Sequence, residues 1–281
     1  MKRVLGIVSS PRKLGNSEIL AKAAMEATGA DNLELIRLTD LNLKPCQACY
    51  RCLPKDKPCL IEDDLDFLLD KIRLADAVVL AAPCYILGPN ASIKILQDRL
   101  LSLGSKIEQY AGKTCIAITT YGRPGVEGYA EAALNLTAYF MHLQLVDCAS
   151  FLGANPASVL EDPANLQRVQ KMGRALFDPG YQRTPKPNEC PACWSDILRY
   201  DGKNLICPLC GTKGEITVEG QAVKLKFFPQ VNHRFSEEGK REHNEVFLPN
   251  KKEEFLAKRK YYKELQQPYR QIGNWVTPEQ K

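Results

Sequence analysis

Hydrophobic and polar positions alternate along the first 178 residues between short apolar runs and longer amphipathic stretches. The apolar runs predict β-strands over residues 3–9, 33–38, 77–82, 114–120 and 143–151. The amphipathic stretches predict helices over residues 16–27, 64–74, 92–103, 127–142 and 163–177. Two strands, "VVLAA" and "CIAIT", are almost continuously apolar, which is typical of parallel strands covered by helices on both faces. The pattern therefore predicts an α/β domain built on an open, doubly wound, five-stranded parallel sheet.

The chain continues for about a hundred residues beyond this domain, and its composition changes there. The segment "DPGYQRTPKPNE" carries three prolines and one glycine, a composition typical of a linker, and places a domain boundary near residue 180. Residues 186–220 are too few to build a hydrophobic core, so another force must hold them together. Residues 221–281 form a polar extension with one predicted helix over residues 251–266. We therefore predict three parts: 1–180, 186–220 and 221–281.

The net charge of +5 lies in the C-terminal extension. Its thirteen basic and eight acidic residues are interspersed, which favours a solvated helix face over a nucleic-acid-binding arm. A docking surface for an acidic partner is the alternative. Because no export signal and no run of eighteen apolar residues is evident, we expect a cytoplasmic protein without a membrane span. The grouping of eight of the eleven cysteines into two clusters suits metal ligation better than disulfides.

A candidate phosphate site follows the first predicted strand. The stretch "GIVSSPRKLGNSEILAKA" runs from a strand through a turn rich in Ser, Pro and Gly into a helix. Backbone N–H groups at a helix start, together with the nearby hydroxyls, can hold a phosphate. The stretch lacks both the dinucleotide fingerprint and the Walker sequence, so a single phosphate monoester is favoured.

Three loops together resemble those of the NAD(P)H-dependent FMN reductase family. "SSPRKLGNSEIL" is similar to the phosphate loop of that family, "APCYILGPNASIKILQDR" to its second loop and "TTYGRPGVEG" to its third. The resemblance implies a flavodoxin-like sheet, bound FMN and an oxidoreductase activity. It also implies a homo-oligomer, since relatives build the flavin pocket at a subunit interface.

The resemblance also assigns FMN contacts to individual residues. It implies that the phosphate is held by Ser9, Arg12, Asn16 and Ser17. One side of the isoalloxazine ring would be lined by Pro83, Cys84, Tyr85 and Ile86, and the other by Thr120, Tyr121 and Gly122. We interpret Cys84 as a packing residue rather than a redox group. No side-chain acid–base pair stands out, so no catalytic residue is predicted.

Four cysteines lie in the loop between the second strand and the second helix. Cys46, Cys49, Cys52 and Cys59 have the spacing C-x2-C-x2-C-x6-C, which suits four-thiolate ligation of a [4Fe–4S] cluster. A zinc site or free thiols are the alternatives. Positive groups to balance a cluster are available at Lys44, Arg51, Lys55 and Lys57, whereas Glu62 and Asp63 suit the start of the next helix. The motif resembles the iron–sulfur flavoproteins, which implies that ferredoxin delivers electrons to a cluster that passes them to FMN.

A second cysteine cluster resembles a zinc ribbon. "CPACWSDILRYDGKNLICPLCG" carries two C-x2-C knuckles separated by thirteen residues. Knuckles of this type aim four sulfurs at one tetrahedral ion, and a structural zinc would supply the stability that so short a segment lacks. Zinc is favoured, and a rubredoxin-like iron stays open. The ligands in either case are Cys190, Cys193, Cys207 and Cys210.

Three functions follow from these motifs. The first is an FMN-dependent oxidoreductase in which a [4Fe–4S] cluster exchanges electrons with FMN, with ferredoxin or NAD(P)H as donor. The second is an NAD(P)H-dependent FMN or quinone reductase with structural metal only. The third is a scaffold subunit of a redox complex that docks through the ribbon and the C-terminal extension.

Overall fold

The sheet of the N-terminal domain is parallel and flavodoxin-like, as predicted. The computed structural model describes residues 1–53, 57–103, 106–230 and 232–273. The five main strands stand in the order β2-β1-β3-β5-β6, and a short strand β4 pairs antiparallel with the end of β3. Their bounds are Arg3–Val8 (β1), Asn32–Arg37 (β2), Ala77–Tyr85 (β3), Gly88–Pro89 (β4), Thr114–Tyr121 (β5) and Gln144–Leu152 (β6). The apolar runs of β3 and β5 are buried almost throughout, because helices cover both faces.

Helices cover the sheet in two groups. One face packs against α1 (Asn16–Glu26) and α5 (Pro163–Ala175). The other face packs against α2 (Leu65–Leu74), α3 (Ala91–Arg99) and α4 (Ala130–Phe140). The helix predicted over residues 127–142 is shorter at both ends. At its start, residues 122–129 form a loop at the carboxyl edge of the sheet, and at its end, residues 141–142 form a turn. The last turn predicted for α3 is instead a 3₁₀ turn, Leu100–Leu103.

The ribbon is a four-stranded antiparallel sheet. Its strands are β7 (Arg199–Tyr200), β8 (Leu205–Ile206), β9 (Lys213–Glu219) and β10 (Ala222–Phe227). The sheet continues seven residues past the predicted end at residue 220, which falls at the turn of the β9–β10 hairpin. Gly220 has a φ of 63°, which a glycine adopts readily in a tight turn. The residue predicted to end the ribbon is therefore the turn residue of this hairpin.

The segment predicted as a linker is fixed to the flavodoxin-like domain by a buried carboxylate. Asp147 on β6 accepts a 2.6 Å hydrogen bond from Tyr181 Oη and lies 3.3 Å from Arg183 Nε. Arg183 also binds Glu189 in a bidentate pair of 2.7 and 2.9 Å and stacks 4.8 Å from the ring of Trp194. Proline and glycine content predicted a linker here, and these long-range partners hold that segment in place.

The C-terminal extension contains more helix than predicted. It runs through α6 (Glu237–Arg241), a π-helical turn (Glu242–Phe247), α7 (Leu248–Ala257) and α8 (Arg259–Gln266). The single helix predicted over residues 251–266 is interrupted at Lys258, whose ψ of 8° departs from the helical range. Across the described ranges, every helix is too short or too polar to cross a bilayer.

Candidate flavin site and metal centres

Glu18 and Arg37 shape the loop between β1 and α1. The Glu18 carboxylate accepts hydrogen bonds from the backbone N–H of Leu14 at 2.8 Å and from Arg37 at 2.7 Å. Arg37 also donates to the carbonyl of Ser10 at 2.7 Å. Burial alone would raise the pKa of Glu18, but the bonds from Lys22, Arg37 and Leu14 outweigh it and lower that pKa to about 2. This ion pair therefore holds the loop in shape.

We expect Glu18→Gln to loosen the loop and weaken FMN binding about tenfold, or about 1.4 kcal/mol. A carboxyl whose pKa falls from 4.5 to about 2 on folding contributes about 3 kcal/mol. Because the folded pKa is depressed, this stability is present above pH 4.5 and is lost as the pH falls towards 2. Urea unfolding at pH 7 and pH 3 checks the sign. A variant with the same pH dependence as the wild type would contradict the assignment.

Three of the predicted phosphate residues lie around the start of α1. Ser9 is buried, and its hydroxyl has no hydrogen-bond partner within the described ranges. Ser17 shares a 2.8 Å hydrogen bond with Thr120 of the third loop, while the Arg12 side chain is exposed. A buried hydroxyl without a partner beside free helix N–H groups fits an anionic ligand oxygen. The loop therefore suits the phosphate of FMN.

The side chain of Asn16, the fourth predicted phosphate residue, is bonded within the protein. Its side-chain amide donates to the carbonyls of Gly153 at 2.7 Å and Asn155 at 2.9 Å, in the loop that follows β6. These bonds commit both amide hydrogens to the protein. The side chain of Asn16 therefore ties two loops together, and its backbone N–H at the helix start is the group left to face a phosphate.

The second and third loops are joined across the expected ring site. The Cys84 thiol donates to the carbonyls of Val126 at 3.5 Å and Glu127 at 3.3 Å, and the N–H of Tyr129 donates to Leu87 at 2.7 Å. Burial raises the pKa of Cys84, so the thiol stays neutral at pH 7. A neutral thiol bonded to two carbonyls supports the packing role predicted for Cys84.

The other residues assigned to the ring differ in exposure. Pro83 is buried at the end of β3, and Tyr121 is half-buried at the end of β5. Gly122 is exposed, as are Tyr85 and Ile86, and the Ile86 side chain is 95% accessible. The structure therefore brings all three loops to one edge of the sheet but leaves an apolar rim open to solvent.

Sequence reasoning missed Asn90, which connects the second loop to the first. Its amide donates to the carbonyl of Ser9 at 2.6 Å and to the hydroxyl of Ser92 at 3.1 Å. The Ser92 hydroxyl lies 3.4 Å from the same Ser9 carbonyl. An asparagine just before a predicted helix is an ordinary capping signal, so its long-range partner could not be inferred from spacing.

The ribbon cysteines form a tetrahedral sulfur site. The four Sγ atoms of Cys190, Cys193, Cys207 and Cys210 are buried and lie within 4.8 Å of one another. The Cys190–Cys210 and Cys193–Cys207 sulfur distances are both 3.5 Å. Zinc–sulfur bonds of about 2.3 Å separate tetrahedral sulfurs by about 3.8 Å, so the spacing fits a single ion. The predicted ligand set is therefore assembled.

The front cysteine loop, residues 44–63, has a more open arrangement. Cys49 is exposed and the other three thiols are half-buried, and within the described ranges they do not form a set as tight as that of the ribbon. Burial and then the neighbouring Cys59 raise the pKa of Cys52, with smaller contributions from Cys49 and Cys46. Cys52 therefore lies near the other three thiols, which are grouped less tightly than the ribbon cysteines.

Backbone geometry in this loop suits an anionic group. Ala48 and Tyr50 adopt left-handed φ values of 50° and 55° on either side of Cys49. The N–H of Ala48 lies 3.4 Å from the Cys46 sulfur. Left-handed residues that interrupt an irregular loop turn successive N–H groups to one side, as in many phosphate and iron–sulfur sites. The four-cysteine motif therefore has a backbone N–H donor beside one of its sulfurs.

One predicted counter-charge is engaged within the loop, and a further cation comes from outside it. Lys44 uses its ammonium on the carbonyl of Glu62 at 3.0 Å, and Lys55 lies outside the described residues. Arg99 of α3, which sequence reasoning assigned no role, lies 3.5 Å from the Cys59 sulfur and pairs with Asp63. Asp63 still accepts from Leu65 at the start of α2, as predicted. A cation in contact with a predicted cluster ligand therefore comes from a distant helix.

One cavity lies away from the flavin loops. It has a volume of about 1160 Å³ and separates α3 and α4 from the C-terminal extension. His142, at its edge, is buried, and burial followed by the charge of Lys240 lowers the pKa of His142 to about 4. The imidazole is therefore neutral at pH 7, which suits a packing role.

Comparisons with known proteins agree with the fold and the loops. The sequence profile of the family described as NADPH-dependent FMN reductase matches residues 2–156. An iron–sulfur flavoprotein of Methanocaldococcus jannaschii is 37% identical over 189 residues, which cover 63% of this chain and 96% of the relative. The flavone synthase of Aspergillus candidus is 27% identical over 255 residues, covering 77% of this chain and 78% of the relative.

A solved structure described as a flavone reductase has the same fold over nearly the whole chain. It superposes with a TM-score of 0.76 at 23% identity and covers 99% of this chain and 100% of its own. The comparisons confirm the predicted flavodoxin-like fold and the class of activity. This chain belongs to the NADPH-dependent FMN reductase family and is an FMN-dependent oxidoreductase related to the iron–sulfur flavoproteins.

Proposed function

We propose that the front cysteine loop holds a [4Fe–4S] cluster that exchanges electrons with FMN bound at the three-loop edge of the sheet. The observation that carries the proposal is the environment of the four thiols. Cys52 lies near the other three thiols, the N–H of Ala48 lies beside the Cys46 sulfur, and the buried guanidinium of Arg99 lies beside the Cys59 sulfur. Thiolates, N–H donors and a cation are what an iron–sulfur centre requires of a protein.

The proposed FMN contacts follow from the donors at the sheet edge. Ser9, Arg12 and Ser17 would hold the phosphate together with the first N–H groups of α1. The ring would lie between the second loop, from Pro83 to Ile86, and the third, from Thr120 to Gly122. When bound, FMN supplies the redox chemistry. The chain positions it and neutralises its phosphate charge.

The proposal extends to partners and compartment. Ferredoxin suits a cluster that faces solvent, and NAD(P)H suits a flavin with an open ring face, so either class of donor fits this site. The exposed rim of Tyr85, Ile86 and Leu87 supports a homo-oligomer, because a second copy would cover it. Eleven free thiols and thiolate ligands suit a reducing compartment such as the cytoplasm.

The ribbon is proposed to hold zinc in a structural role. Its four-sulfur set leaves no open coordination position, which is the arrangement of structural rather than catalytic zinc. The same set would accept iron, as in a rubredoxin. Metal analysis by mass spectrometry distinguishes them, since zinc predicts one colourless ion per chain at this site.

Anaerobic purification with iron, sulfide and flavin analysis tests the proposed electron path. We expect about four iron atoms per chain and one FMN. Cys52→Ala should lose this iron and ferredoxin-dependent flavin reduction, while FMN and ribbon metal stay bound. Cys115→Ala, which removes a core thiol from β5, is the matched control and should keep all three. Iron-free wild-type protein that oxidises NADPH would reject the cluster in favour of a flavin or quinone reductase.

A second candidate substrate class follows from the share of this chain that different relatives match. The iron–sulfur flavoprotein matches 63% of the chain, whereas the flavone synthase and flavone reductase matches extend beyond that share. This favours hydride exchange between FMN and a carbon–carbon bond conjugated to a carbonyl, as in a flavone. Anaerobic mixing of the reduced protein with a flavone should then reoxidise the flavin and yield the dihydro product. A reduced flavin that stays reduced would exclude this candidate.

A further inference from the structure

Arg99 is a buried cation that contacts the front cysteine loop at several points. It lies on the last turn of α3 and is 2% exposed. Its guanidinium pairs with the Asp63 carboxylate, where the Nη2–Oδ1 distance is 3.2 Å, and donates to the carbonyl of Lys44 at 2.8 Å. It also lies 3.5 Å from the Cys59 sulfur. One side chain therefore contacts both ends of the front cysteine loop and one of its four thiols.

These contacts close the loop at its base. The N–H of Lys44 donates to Asp63 at 2.8 Å, so the two ends of the loop are bonded to each other as well as to Arg99. Burial alone would raise the pKa of Asp63, but the bonds from Arg99, Lys44 and Leu65 outweigh it and lower that pKa. The carboxylate is therefore charged, and the arrangement is a buried ion pair with added backbone donors.

A buried ion pair by itself contributes little net stability to a fold. Removing two charges from water costs about as much as their attraction returns, and apolar residues of similar volume often stabilise a protein as well. Arg99 also keeps its buried Nε without a partner within the described ranges. An unsatisfied buried N–H destabilises the folded chain. A guanidinium with a spare donor beside a thiol suits a further acceptor, such as the sulfur of a bound cluster.

Helix α3 connects this contact to the flavin site. The helix begins next to Asn90, whose amide binds the Ser9 carbonyl of the phosphate loop, and it ends at Arg99. Nine residues of helix span about 14 Å, so both contacts are held by one rigid element. Helix α3 therefore connects the contact with Cys59 to the contact with the phosphate loop.

We propose that Arg99 is a positioning residue for electron transfer, which clamps the front cysteine loop to α3 and raises the reduction potential of the iron–sulfur group through its charge and its N–H donors. The inference rests on the proposed function. Reduction adds negative charge to the centre, and a nearby cation stabilises the reduced form. Asp63 partly offsets this effect. Removal of either charge should therefore shift the potential, in opposite directions.

The test is an EPR-monitored redox titration of the anaerobic holoprotein. Arg99→Gln should lower the reduction potential of the cluster by about 59 mV, which corresponds to a tenfold change in the equilibrium constant of its one-electron reduction. Asp63→Asn should raise it, because the guanidinium charge is then uncompensated. Arg99→Lys keeps the charge and should give an intermediate potential. Arg73→Gln removes an exposed charge from α2 and is the matched control, expected to leave the potential unchanged.

The outcomes separate the two proposals. Wild-type protein without iron overturns the proposed cluster and this inference together. Iron-loaded wild-type protein in which Arg99→Gln has an unchanged potential overturns the inference alone. Should Arg99→Gln fail to bind iron, the sign of the Asp63→Asn shift decides: a raised potential supports the inference, and an unchanged or lowered one refutes it. The flavin potential, measured in the same titration, should not move in any variant.

Discussion

Replacement of Cys193 by serine is expected to release the ribbon metal and unfold the ribbon, while the flavin domain stays folded. The buried apolar cluster of the ribbon consists of its four cysteines and Phe235, which is too small to hold the segment without an ion. Binding of a structural zinc contributes on the order of 10 kcal/mol to such folds. Metal analysis, together with limited proteolysis between residues 180 and 230, measures the loss.

A matched substitution separates metal loss from general damage. Cys49→Ser makes the same chemical change at an exposed thiol of the front loop, and it should leave the metal and protease resistance of the ribbon unchanged. If Cys193→Ser keeps its metal and its resistance, the tetrahedral sulfur site is not what stabilises this segment. Treatment of the wild type with a strong chelator should reproduce the variant.

Loss of the ribbon should also affect α4. Tyr139 of α4 stacks on Phe235 with ring centroids 4.7 Å apart, and Phe140 meets the same ring edge-on at 5.6 Å. Unfolding of the ribbon would expose these aromatic faces, which contribute about 0.5 to 1.5 kcal/mol per pair. The thermal midpoint of the flavin domain should therefore fall by a few degrees in Cys193→Ser.

The elements that local pattern encodes were predicted well. The five main strands and five helices of the sheet domain lie within four residues of their predicted bounds, because each is marked by periodicity or by a turn signal in its own sequence. The ribbon ligands followed from spacing for the same reason. The C-terminal extension was less predictable, since its helices have few buried residues and their boundaries depend on weak local preferences.

The partners that shape the site were not predictable from sequence. Arg37 supports the phosphate loop from β2, Asn90 does so from the start of α3, and Arg99 reaches the cysteine loop from forty residues away. Each contact depends on which helices and strands become neighbours in the sheet. The lysines within the cysteine loop were the natural candidates for its counter-charge, because only proximity in sequence was visible.

Gly128→Ala is expected to weaken FMN binding at least tenfold by separating the two ring loops. Gly128 has a φ of 57°, and a Cβ added there would lie 2.0 Å from the carbonyl oxygen of Leu87. That oxygen accepts the N–H of Tyr129 at 2.7 Å, and it belongs to the backbone, so it cannot turn aside as a flexible side chain would. The loops must move apart, which displaces Cys84 and its neighbours from the ring site.

Substitutions at two neighbouring glycines distinguish the effect of the Leu87 clash from the effect of left-handed backbone strain. Gly125 has a φ of 77° and no heavy atom within 4 Å of an added Cβ in the described ranges, so Gly125→Ala carries only the left-handed strain of about 1 to 2 kcal/mol. Gly122→Ala would make only ordinary contacts, at 3.7 Å with Ala154, and carries no left-handed strain, so any loss it causes measures the effect of a methyl group at the ring site itself. Quenching of FMN fluorescence gives the three affinities. Equal losses in Gly128→Ala and Gly125→Ala would show that backbone strain, and not the Leu87 contact, determines the geometry of the pocket.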